Sequence, residues 1–319
     1  MPVPASAPLI RFRLMPPADF WTFFRLIAAC ACTFALVCCS GEENERTAPA
    51  PSRDSAELRI VSLSPAMSRM IADLGLRGHV VGRSPYCLSI DSSVPVVGDH
   101  FIVDLEMLVR LDPTHILIQP PRDEVPQALA HLANEHVWTI IHREIDTIAD
   151  IRDFLQELPP QLGGERDGAR WRDLHVAADH LIERLDLALR VDRTPLWSGR
   201  VLLVYSAASS ISIFGSSTYL DEILRALGCE NAAAHIDGWG ELSLEDVARL
   251  NPDGILLIDA SGRSVDELMG PLATLEIDAV KRGLIGVITH PQALLPSTSC
   301  IDVSREMREL LASFVERSR

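Results

Sequence analysis

One stretch of this chain occurs twice, and that repetition limits the available folds more than any bulk property does. Asp104-Leu-Glu-Met-Leu-Val-Arg-Leu-Asp-Pro-Thr-His-Ile-Leu-Ile118 returns as Ser243-Leu-Glu-Asp-Val-Ala-Arg-Leu-Asn-Pro-Asp-Gly-Ile-Leu-Leu257. In register, Leu105 matches Leu244, Glu106 matches Glu245, Leu111 matches Leu250, Pro113 matches Pro252 and Ile116 matches Ile255. Both copies carry the same physical instructions. A side-chain oxygen (Asp104, Ser243) is placed to cap a helix, with a glutamate in the first turn at the positive end of the dipole. A short amphipathic helix follows, and Asp-Pro or Asn-Pro stops it because the residue before proline is pushed out of the α region. The apolar run that comes next reads as a buried strand of a mostly parallel sheet. Two such units, more than a hundred residues apart, predict two related α/β lobes with a ligand-holding cleft between them.

The 319 residues suffice for two modest cores. The formal charge is −15, and Lys281 is the single lysine, so nearly all basic groups are arginine. Without residues 1–38, which hold Arg11, Arg13, Arg25 and Asp19, 26 basic groups face 43 acidic ones. Such a surface repels nucleic acid and anionic headgroups, which excludes a nucleic-acid role.

The start of the chain reads as a targeting segment outside the fold. Three arginines lead into Leu26–Val37, an apolar stretch too short to span a bilayer as a mature helix. It ends in Leu36-Val-Cys-Cys-Ser40, which resembles a bacterial lipobox with Cys39 as the lipidated mature N-terminus, although cysteine is an unusual residue just before that position. Ile27-Ala-Ala-Cys30 also fits, with almost no apolar length ahead of it. The expected order is a signal peptide (1–38) and a lipidated flexible tether (39–57). This places the remainder at the periplasmic or extracellular face, held to the membrane by its N-terminal lipid. Beyond these segments stand Cys87, Cys229 and Cys300. In an oxidising compartment they allow either one disulfide, with Cys229–Cys300 as the pair in one lobe, or three buried thiols.

An N-terminal α/β lobe (58–165) opens with the strand Arg59–Leu63, and strands and helices alternate from there. From Arg166 the pattern turns polar and helical, with Trp171, Leu174, Ala178, Leu181, Leu185 and Leu189 on one stripe. It predicts a connector helix over 166–192, which at ~26 residues is about 39 Å long. A C-terminal α/β lobe (193–319) begins with Val201–Tyr205 and a Ser/Ala-rich loop, and closes with a helix from about Asp302.

Arg59-Ile-Val-Ser-Leu-Ser-Pro65, Gly82-Arg-Ser-Pro-Tyr86, Pro95-Val-Val-Gly98, Asp104-Leu-Glu106 and Leu224-Arg-Ala-Leu-Gly-Cys-Glu-Asn231 follow one another in an order specific to a family. The series, covering about residues 58–316, resembles the substrate-binding proteins of ABC importers for vitamin B12, haem and iron-siderophores. The resemblance implies two lobes joined by one long helix, a ligand between them, little lobe movement, and a membrane permease as partner to a monomeric receptor. It implies that Glu106 and Glu245 dock onto permease arginines. It also implies that Tyr86 and Trp239 hold positions which in cobalamin-binding members pack on the corrin, while His100 stands where those members have tryptophan. The expected bound ligand is thus a corrinoid, haem or a ferric siderophore, with no catalytic cofactor.

At strand ends, where open parallel sheets bind ligands, the candidates are Ser64, Tyr86, His100, Gln119, His142, Tyr205, Trp239 and His290. Aromatic faces on both lobes would clamp a flat, largely apolar macrocycle, each ring burying ~150–250 Å². His100, His142 and His290 are of a type that ligates iron or cobalt. Among cationic candidates only Arg83 and Arg263 stand near these ends, which weighs against an anionic siderophore. A divalent-metal receptor is the alternative. An exported enzyme finds less support: Ser64 and Ser209 precede helices or loops as caps do, and no G-x-S-x-G, H-E-x-x-H or phosphate loop occurs.

Overall fold

The structure, a computed structural model, describes residues 57–120, 124–163, 168–190, 195–207 and 210–318. The expected signal peptide, Cys39, the tether up to residue 56 and Ser209 lie outside the described residues.

The first sheet is wholly parallel, in the order β2-β1-β3-β4: β1 (Ile60–Ser62), β2 (Val80–Arg83), β3 (His115–Ile118) and β4 (Thr139–His142). Four helices accompany it: α1 (Pro65–Asp73), α2 (Leu105–Leu111), α3 (Gln127–His136) and α4 (Ile148–Leu162). Their starts follow from local chemistry. Ser64 Oγ accepts from Met67 N ahead of Pro65 at the first helical position, and Thr147 with Asp150 forms a full capping box. Next comes α5 (Ala169–Ala188), whose 20 residues are about 30 Å long. It is shorter than the expected span and lies against α4 on one side and α10 (Cys300–Arg317) on the other. Four residues of the expected stripe, Leu174, Ala178, Leu181 and Leu185, are buried.

The second sheet runs β10-β9-β5-β6-β8, with the two-residue β7 (Glu230–Asn231) also on β5. β5 (Arg200–Ala207), β9 (Gly254–Ile258) and β10 (Ile285–Ile288) are parallel, whereas β6 (Ile211–Phe214) and β8 (Trp239–Leu242) add antiparallel strands. Its helices are α6 (Tyr219–Ala226), α7 (Leu244–Leu250), α8 (Val265–Met269) and α9 (Asp278–Lys281), with α10 closing the chain.

Strand alternation divides the core. In β1 and β3, Ile60 and Leu117 face one way, and Val61, Ile116 and Ile118 the other. In β5 and β9, Leu203, Leu256 and Ile258 oppose Leu202, Ile255 and Leu257. The central strands of both sheets are therefore buried on both faces, as central parallel strands require. One apolar cluster runs through both halves, from Ile60 and Met67 through Phe154 and Leu185 to Phe214, Tyr219 and Phe314. Polar bonds follow the same seam. Tyr219 N donates to Asp146 O (2.8 Å), Ile148 N to Glu222 Oε2 (2.6 Å), and Arg69 Nη1 to Gln292 Oε1 (2.8 Å).

Candidate ligand site

Exposed aromatic side chains stand in the loops after β2 in the first half, and near the carboxyl end of β5 (Tyr205) and at the start of β8 (Trp239) in the second. β2 runs out at Arg83, whose guanidinium is taken up by the following loop. Nε donates to Val94 O, Nη1 to Ser84 O and Nη2 to Ser92 O, each at 3.1 Å. The loop so fastened presents Tyr86, 63 % exposed, and Leu88. The turn that follows depends on Gly98 at φ +116°, where a Cβ would stand 2.0 Å from Ile102 O. Asp99 Oδ1 accepts from Phe101 N (2.8 Å) and Ile102 N (3.0 Å), leaving both side chains in solvent, Ile102 at 79 %. His100 is half-buried, its ring 3.8 Å from that of Phe101. The rim of the first half is thus Tyr86, Leu88, His100, Phe101 and Ile102. Sequence reasoning missed Leu88, Phe101 and Ile102, although an apolar triplet Phe101-Ile-Val103 just after a Gly-Asp turn was a usable signal.

In the second half Tyr205 and Trp239 meet edge to face, with ring centroids 5.8 Å apart at 82°. Trp239 also lies 3.9 Å from Phe214, its partner across the β6–β8 pair, so one side of the indole is held while the residue stays 49 % exposed. A cavity of about 160 Å³ adjoins Tyr205, lined by Ser206, Leu257, Arg263, Glu267 and Leu268 among others. Beside it Asp259 ends β9 and accepts from Arg263 Nη2 (2.6 Å) and Ser261 Oγ (2.7 Å). Burial works to raise this carboxyl, but the bonds from Arg263 and Ser261 outweigh it and bring it down to about 2. The charge of Arg263 is met by that carboxylate.

The remaining strand-end candidates are placed differently. Ser64 is the α1 cap and donates to Gln119 Oε1 (3.2 Å), while Gln119 Nε2 donates to Ile145 O (3.2 Å). His142 ends β4, exposed. His290 is half-buried in the seam between the halves. Its Nδ1 accepts from Gln292 N (3.2 Å), and Nε2 stands 3.9 Å from Asp302, which is 3.8 Å from Arg69. Burial pushes the imidazole down, against the pull of Asp302. With Nδ1 accepting, the neutral ring carries its proton on Nε2 and offers no lone pair to a metal. Among the described residues no three His, Cys, Asp or Glu side chains converge as metal ligands would.

Glu106 and Glu245 are exposed over 89 % and 84 % of their side chains. Neither caps its helix. Asp104 accepts from Met107 N (2.9 Å), and Ser243 with Asp246 forms a capping box.

Cys229 and Cys300 do not form the disulfide considered from the sequence; with Cys87 they are buried free thiols. The Cys229 thiol donates to Trp197 O (3.2 Å). Burial pushes Cys229 up to about 11 and Cys300 up to about 12.

The periplasmic binding protein family model matches residues 60–289. The chain belongs to that family, and it is a binding protein rather than an enzyme. Among similar proteins is an uncharacterised ABC transporter substrate-binding lipoprotein, YvrC of Bacillus subtilis strain 168. It is 26 % identical over 234 residues, which cover 70 % of each chain. Two solved structures share the fold. The periplasmic vitamin B12-binding protein BtuF of Vibrio cholerae superposes with TM-score 0.61 at 18 % identity, covering 79 % of this chain and 96 % of that one. The periplasmic haem-binding protein HutB of Vibrio cholerae does so with TM-score 0.58 at 22 % identity, covering 80 % and 99 %.

Proposed function

We propose that this chain, a substrate-binding component of an ABC transporter, captures a flat, largely apolar macrocycle and delivers it to a membrane permease. A corrinoid or haem fits this description. The observation that carries the reading is the pair of exposed aromatic groups, Tyr86 with Phe101 on one half and Tyr205 with Trp239 on the other. Exposed rings gain by covering a flat ligand because apolar area leaves water, and Trp239, held on one side by Phe214, gains without reordering. The state of the nearby cations favours such a ligand over an anionic ferric siderophore. Arg83 is bonded to three carbonyls and Arg263 to Asp259. The names of the superposable B12- and haem-binding proteins support the same class.

In this reading residues 58–165 and 193–319 are the two lobes, α5 is the link between them, and Cys39 carries a lipid that keeps the protein at the outer face of a membrane. Glu106 and Glu245 contact the permease, one from each lobe. Their separation from the caps supports this, since neither is needed where it stands for its own helix.

Spectroscopic titration of the purified protein with cyanocobalamin, haemin, a ferric siderophore and zinc tests the ligand class. A saturable spectral shift with one of the first two is expected, weakened by about tenfold or more in Tyr86→Ala or Trp239→Ala, a loss of roughly 1.4 kcal/mol. Retention of zinc alone would establish a metal receptor instead.

A further inference from the structure

The two glutamate-bearing helices agree in more than their glutamates. Each carries an arginine one turn further on. Arg110 Nη2 lies 3.6 Å from Glu106 Oε2, and Arg249 Nη2 lies 3.2 Å from Glu245 Oε1. Both arginines are exposed over two thirds of their side chains. The supports beneath them match as well. α2 and α7 are seven residues each, bury one side chain (Leu108 or Val247), and end on a left-handed residue before proline, Asp112 at φ 41° and Asn251 at φ 42°. Glu106 and Arg110 match Glu245 and Arg249 in register, while the other acids of the helices and their caps differ: Asp104 and Asp112 in one copy, Asp246 in the other.

An exposed pair four residues apart on a helix contributes only about 0.3–0.5 kcal/mol and opens at little cost. Asp104 is held by the backbone N–H of Met107. Asp246 is held by the backbone N–H of Ser243 and also accepts from Arg249 Nη1 (2.9 Å), a bond with no counterpart at Arg110 among the described residues. Each helix still offers outward one exposed negative charge and one exposed positive charge, about 5–6 Å apart along the helix, with Arg249 shared between Glu245 and Asp246. A lone carboxylate on a surface leaves the partner free to pivot about it; two opposite charges fix a direction.

We propose that each lobe docks through a two-charge knob, Glu106 with Arg110 and Glu245 with Arg249. On docking each internal pair separates. The glutamate takes a basic residue of the permease, and the arginine takes an acidic residue beside it. The partner is a membrane protein with two equivalent surfaces, each presenting a base and an acid in that order. This rests on the reading that the glutamates dock, and adds the arginines to it.

The test is saturable binding of the unacylated, fluorescently labelled protein to spheroplasts of its own cells, with the fold of each variant checked by circular dichroism. Arg110→Ala with Arg249→Ala is expected to weaken binding by about tenfold, as is Glu106→Ala with Glu245→Ala, since two lost charge contacts of up to ~1 kcal/mol each make a shift of that size. Arg110→Lys with Arg249→Lys should restore most of it, and raised salt should weaken only the wild type and the lysine variant strongly. Wild-type binding by the arginine-to-alanine pair, with loss in the glutamate pair, would overturn the two-charge knob and leave the docking reading standing. Unchanged binding in the glutamate pair, or none by the wild type, would overturn the docking reading itself.

Discussion

Asp221 is almost wholly buried on α6, with Oδ1 accepting from Asn231 Nδ2 (3.0 Å) and Oδ2 left without a hydrogen-bond partner. Burial raises its carboxyl above the usual range, opposed by Asn231 and by Arg225. A carboxyl raised on folding holds its proton more tightly in the folded state, so the folded state is favoured most below the unfolded value of about 3.9 and loses that advantage as pH rises. Asp221→Asn should therefore be more stable than wild type at neutral pH, by about 1 kcal/mol, with the gain shrinking towards pH ~4. Urea midpoints at the two pH values check this. The cysteines make a second residue-level case. Thiolates react and thiols do not, so a thiol reagent at mildly alkaline pH should leave Cys87, Cys229 and Cys300 unlabelled in the folded protein. All three should be labelled in denaturant without reductant; labelling of one alone would mean that a disulfide exists. The sequence left both outcomes open because spacing along the chain does not reveal whether two sulfurs approach. For the same reason His290 was legible as a strand-end residue but not as one bonded through Nδ1 to Gln292 N.

At the scale of elements, the repeat was legible down to its caps, because a capping oxygen, a short apolar stripe and a stopping Asn-Pro or Asp-Pro act within one turn of themselves. Those caps and the glutamates Glu106 and Glu245 make separable contributions. Asp104→Ala or Ser243→Ala should cost about 1 kcal/mol by chemical denaturation, whereas Glu106→Ala and Glu245→Ala should shift stability by less than about half of that. Equal costs would mean that the glutamates hold their helices. Other elements were hidden for identifiable reasons. β6 is four residues of weak alternation inside a Ser-rich stretch, and β8 begins Trp239-Gly-Glu, a segment whose exposed tryptophan and glycine argue against a strand in isolation. β6 exists through pairing with β5 and β8, and β8 through pairing with β6 about 30 residues before it, contacts that no short window reveals. α5 was legible by its stripe but not by its ends, since charged residues fill both flanks and only packing on α4 and α10 selects Ala169–Ala188.

Across the whole molecule, the shared apolar cluster and the polar seam of Arg69, Asp146, Glu222 and Gln292 hold the two halves in one arrangement. If the chain binds as proposed, a seam of this kind lets it do so with little reordering. Of the aromatic residues proposed to take the ligand, Tyr86, Tyr205 and Trp239 were legible from the sequence. Phe101 and its neighbour Ile102 were not, because their exposure depends on the Gly98–Asp99 turn. The most direct measurement is a crystal structure of the protein grown with whichever macrocycle it binds in solution. The account predicts a planar ligand with one face against Tyr86 and Phe101 and the other against Tyr205 and Trp239. A ligand seated away from both rims, or a bare metal ion in its place, would contradict it.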